Sequence, residues 1–233
     1  MNSYDFGRQS IEKLRKESAR FANLFNFCSS LSGYQELKFI ETSKTRGRIE
    51  YEKRGAVIEF DPNKGDMELT LAHEIMHYIL VLQGAKLPML KENCSCEEVR
   101  LIYKRIMNGC THHPLLAKEL QNFGYSDKLC DESDLMYQPI LEATMNMDQI
   151  TDDLLLCLVD YKAFIFNRDP LEDLEDIFLY KDHTALLQLF LDQDMNIEGV
   201  NNLTSNVIDY FGMNDCIHLA SLDDYVKRDG TYV

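Results

Sequence analysis

Leu69-Thr70-Leu71-Ala72-His73-Glu74-Ile75-Met76-His77-Tyr78-Ile79-Leu80 is an apolar run broken by one histidine–glutamate pair and one further histidine. With no glycine or proline inside it, the run is long enough to read as a buried helix rather than a strand. Asp66 stands where an N-cap belongs, and Gly84 follows Gln83 where a helix would stop. On that helix His73 and His77, at i and i+4, lie one above the other on the same face. Two imidazoles so placed can share one zinc ion, which takes neutral ring nitrogens at about 2.0–2.1 Å and needs a third protein ligand if a position is to stay open for water. Glu74 directly follows the first histidine, near enough to take a proton from the water as it attacks a carbonyl. The spacing assigns His73 and His77 as metal ligands and Glu74 as general base.

Working upstream, Asp61-Pro62-Asn63-Lys64-Gly65 is a turn-rich connector. Before it, Glu36–Thr42, Arg48–Lys53 and Ala56–Phe60 are short segments with β-branched and aromatic residues. They are separated at Arg46-Gly47 and Arg54-Gly55, which predicts a small antiparallel or mixed sheet. Ile11, Leu14, Phe21, Leu24 and Phe25 recur at helical spacing, so Ser10 to about Leu31 is expected to be one amphipathic helix capped by Ser10. Downstream, helices are expected over Ser95–Asn108 and from His113-Pro114 to Gly124, proline suiting a first turn. From about Pro139 only helical patterns remain: Asp152–Asn167, Leu171–Lys181, Thr184–Gln193, Val200–Phe211 and Leu219–Lys227. The expected class is α+β, a small sheet packed on the helix that carries the histidines, followed by an acidic all-helical region. The division expected is residues 1–130 for the first part and 131–233 for the second.

The run Ala56–Leu80, AVIEFDPNKGDMELTLAHEIMHYIL, resembles the strand–turn–helix entry of zincin metallopeptidases. It is similar in particular to small gluzincin-type peptidases such as the ImmA/IrrE-like group. The resemblance implies a zinc-dependent peptidase with an edge strand above the helix, able to pair with an extended peptide. It also implies a third zinc ligand that is a glutamate on the next helix. In Cys96-Glu97-Glu98-Val99-Arg100-Leu101-Ile102-Tyr103 the family's pattern favours Glu97, with Tyr103 six positions on, and Glu98 is the alternative. Arg100 departs from the small residue that pattern has there. Glu92, Cys94, Cys96 and a later residue such as His113 are the other candidates. A metzincin reading fails, because no histidine follows Gly84 at that family's spacing.

Thr111-His112-His113-Pro114 has two readings: a histidine that donates a hydrogen bond near the metal, as the resemblance suggests, or one that packs or caps a helix. His183 and His218 read as surface or core residues. Tyr78, Tyr103 and Tyr125 are the tyrosines near the motif that could face an oxyanion, and sequence does not choose among them.

The chain carries a formal net charge of −15 over 233 residues. Residues 1–130 sum to +2 and residues 131–233 to −17. So acidic a chain lacks the Lys and Arg needed to displace counterions from phosphates, so no direct nucleic-acid partner is expected. No run reaches the roughly 18 apolar residues of a membrane span, and no secretory leader is expected. The seven cysteines form no CxxC pair, so neither a disulfide framework nor a cysteine zinc site is expected, and reduced thiols in a cytoplasm are the simplest account. The expected partner is a protein substrate; the family resemblance implies a specific regulator. The other readings are a toxin or effector metalloprotease acting in a foreign cytosol, and a zinc-holding interaction module without turnover.

Overall fold

The computed structural model describes residues 3–33, 36–92, 94, 96–126, 152, 155, 156, 159 and 184–228. Among them, in chain order, run α1 (Ser3–Glu17), α2 (Ala19–Ser32), β1 (Glu36–Glu41), β2 (Gly47–Glu52), β3 (Gly55–Phe60), α3 (Met67–Leu82), β4 (Leu87–Leu90), α4 (Glu97–Met107), α5 (His113–Asn122), α6 (Thr184–Leu191), α7 (Ile197–Tyr210), β5 (Ile217–Ala220) and α8 (Leu222–Arg228). The class is mixed α+β. The backbone divides into two interleaved units: Met1–Leu87 with Glu119–Ser126 and Ala220–Val233, and Pro88–Lys118 with Asp127–Leu219. The boundary expected near residue 130 lies outside the described residues, as do Leu171–Lys181, His183 and most of Asp152–Asn167.

In the first unit, β3 is the middle strand of a three-stranded sheet, parallel to β1 and antiparallel to β2. The register puts Leu37, Phe39 and Glu41 beside Ala56, Ile58 and Phe60, and these beside Tyr51, Ile49 and Gly47. Side chains alternate across a strand, so this set shares one face, which is where the sheet is apolar. Arg48, Glu50 and Glu52 point to the other face and are exposed. Phe25 of α2 meets Phe39 with ring centroids 6.1 Å apart. Helices α2 and α3 pack together, and α3 also packs on β2 and β3.

The expected single helix from Ser10 to Leu31 is instead two helices broken at Ser18. Ser18 is extended (φ −123°, ψ 112°), and its side chain accepts the Phe21 N–H, capping α2. The same hydroxyl donates to Glu68 at 2.7 Å. A partner 50 residues away thus interrupts a helix whose apolar spacing runs straight through the break. Ser10 caps nothing; it lies inside α1 and donates to Glu41 at 2.6 Å.

The core of the second unit joins Ile102, Ile106, Leu156, Val159, Phe190, Leu203, Val207 and Ile217. Two features correct the sequence reading. The C-terminal region is not all helical: Ile217–Ala220 is strand β5, paired with β4. The cysteines are not all reduced: Cys94 and Cys216 form a disulfide with Cα atoms 5.4 Å apart. These two lie 122 residues apart, and beside them the Lys91 N–H donates to Cys216 O at 2.8 Å. No spacing rule could anticipate that pairing.

Candidate metal centre

Helix α3 is built as its sequence requires. The Asp66 carboxylate accepts the Leu69 N–H at 3.0 Å, filling one of the donors a helix start leaves open. Gly84 supplies a φ of +109° just past the last turn, where a side chain would be strained. From Leu69 to Val81 every residue is buried except His73 and Glu74, which are partly buried. A helix otherwise enclosed on every side therefore opens at one place, and the motif occupies it.

His77, 3% exposed, stands one turn below His73. The two Nε2 atoms are 3.1 Å apart, and the rings meet edge to face at 75°. Two nitrogens held at zinc-ligand distance around a tetrahedral ion stand about 3.3 Å apart, so the pair is nearly in position for one. The same separation fits an N–H···N bond between rings of complementary tautomer.

Around the motif the tyrosines are kept neutral. Burial raises the Tyr78 phenol to about 12, with Cys28 adding to the effect. Tyr51 on β2, which nothing in the sequence singled out, is raised further by burial and by the charge of Glu74, then by Tyr225 and Tyr78. Its ring centroid is 6.5 Å from Tyr78 and 6.2 Å from Tyr225. Its inward position on an alternating strand was the available signal. Tyr125 is fully buried under the Arg20 guanidinium, 4.6 Å from its ring, and Arg20 binds Glu68 at 2.8 Å. Tyr103 packs against the core of the second unit.

The other candidate ligands belong to the second unit. Glu97 and Glu98 occupy the first turn of α4, where acidic side chains suit the helix dipole, and both are exposed. Glu92 is also exposed. Cys94 is committed to its disulfide and offers no thiolate, while Cys96 is a free, exposed thiol. His112 is 3% exposed, and His113, partly buried, is the first residue of α5. Just beyond its end, Gly124 O accepts from Arg20 at 2.8 Å and Phe123 meets Phe27 at 5.7 Å. His218 is partly buried on β5.

No family model matches this chain, and no curated protein or solved structure matches it either.

Proposed function

We propose that the chain is a zinc-dependent peptidase in which His73, His77 and His113 hold the ion and Glu74 is the general base. The observation that supports it most is the opening of α3 at His73-Glu74, with the ring nitrogens of His73 and His77 turned to one point 3.1 Å apart. His113 is preferred over Glu97 and Glu98 because both carboxylates are solvated at the surface, whereas the His113 ring is partly buried. Three neutral imidazoles and an open position make a donor set that zinc accepts in catalytic sites. Zinc held there would supply Lewis acidity, bringing the pKa of a water towards neutrality. Glu74 would be the group that takes the proton, and the neutral tyrosines nearby add no competing negative charge. The substrate would be an extended segment of a protein, as the likeness of Ala56–Leu80 to zincin peptidases suggests.

Metal analysis and turnover test this together. The purified chain should take up one zinc per molecule, and His73→Ala or His77→Ala should abolish uptake. His113→Ala should weaken it strongly, while Glu97→Gln and Glu98→Gln should leave it unchanged. Glu74→Gln should bind zinc normally and cleave a proteome-derived peptide library about 10²–10⁴-fold more slowly. No zinc uptake by the wild type would leave a proton between the rings and overturn the reading. Unaltered function in Glu74→Gln would favour a zinc-holding interaction module instead.

A further inference from the structure

Strand β2 and helix α3 run in step. Gly47, Ile49 and Tyr51 alternate on the inward face of β2 and are shielded, while their neighbours Arg48, Glu50 and Glu52 are exposed. Thr70, Glu74 and Tyr78 recur every four residues along α3, forming one row. Four strand residues advance about 13 Å and eight helical residues about 12 Å, so the two rows stay matched. At one end the rings of Tyr51 and Tyr78 meet at 6.5 Å. At the other, Gly47 faces Thr70 and Glu74.

That contact leaves no room for a side chain. A Cβ on Gly47 would lie 2.6 Å from Thr70 Cγ2, 2.9 Å from Glu74 Oε1 and 3.3 Å from Glu74 Cγ. Gly47 is not among the positive-φ glycines, so its backbone conformation does not itself demand glycine. Glycine inside a strand is otherwise less favourable than alanine, because it has more backbone freedom to lose. A strand glycine with an ordinary backbone marks a close approach, and here the approaching groups are the methyl of Thr70 and the carboxylate of Glu74. Nor can the strand easily withdraw, since β2 is paired residue by residue with β3, Gly47 opposite Phe60.

We propose that Gly47 is a positioning residue for Glu74. Its bare Cα provides the space that the carboxylate fills, and β2 is the wall that holds the carboxylate on the side of α3 where His73 and His77 converge. The chemical consequence rests on the peptidase reading; the steric contact does not.

A thermal-stability cycle tests the contact without metal or substrate. Gly47→Ala should lower the melting temperature of the wild type, and Glu74→Ala or Thr70→Ser in the same chain should recover part of that loss. Equal losses with and without the Glu74 side chain would overturn the inference. The positioning role is read separately, with zinc and the peptide library. Gly47→Ala should bind zinc as the wild type does and lose turnover by on the order of 100-fold, the scale expected of a reacting group misplaced by about 1 Å. Adding Glu74→Asp, whose carboxylate is one methylene shorter, should restore part of that turnover. Full turnover in Gly47→Ala would overturn the inference. If the wild type cleaves nothing, the peptidase reading fails by itself, and the stability cycle alone decides whether Gly47 positions Glu74.

Discussion

Cys28 on α2 and Tyr78 on α3 show what burial does to single groups. Burial lifts the Cys28 thiol from 9.0 to about 12. Burial, with the charge of Cys28 adding to it, lifts the Tyr78 phenol from 10.0 to about 12. In the unfolded chain both groups ionise near their ordinary values, so between about pH 9 and 12 the folded state holds protons that the unfolded state has lost. Their stabilisation is complete below about pH 9 and disappears as pH rises through that window. Urea midpoints should stay level from pH 7 to 9 and fall steeply by pH 11, with a shallower fall in Tyr78→Phe. An identical fall in that variant would show that Tyr78 does not carry the effect. At this scale His73, Glu74 and His77 were legible in the sequence, because helical geometry alone brings i and i+4 together. Gly47 and Tyr51 were not, because their importance comes from residues on α3 that no local pattern joins to β2.

Element by element, agreement follows how local the controlling interaction is. The cap at Asp66 and the stop at Gly84 act within a few residues, and α3 runs Met67–Leu82 as its sequence predicts. Replacing Asp66 by Ala should destabilise the protein by about 1 kcal/mol, or roughly 2–4 °C in melting temperature for a chain of this size, measurable by calorimetry. No change would mean that another group satisfies the Leu69 N–H. The three strands of the sheet were also legible from their composition, within a residue or two of their bounds. The break between α1 and α2 was not, since it depends on Glu68 reaching Ser18. Nor was β5, whose four residues Ile217–Ala220 become a strand through pairing with β4. Isolated, so short a segment has no strong preference of its own.

For the molecule as a whole, the Cys94–Cys216 disulfide joins two residues of the second unit and closes a long loop of chain, and closing such a loop restricts the unfolded chain. Reduction should cost about 2–5 kcal/mol of stability. Melting with and without dithiothreitol should show the loss, and Cys216→Ser should reproduce it and no longer respond to the reductant. A chain whose melting ignores both treatments would lack the bond in solution. Among the described residues no helix is long and apolar enough to cross a membrane. By itself the sequence determined a helix with two imidazoles and a carboxylate on one turn, the strands before it, and an acidic balance, because periodicity and capping act between neighbours in the chain. Only the tertiary structure decided that Cys94 meets Cys216, that β5 exists, and that Gly47 lies against Glu74. Each of these joins segments distant in sequence, and such contacts form only after many weak pairings have set the register of whole strands and helices.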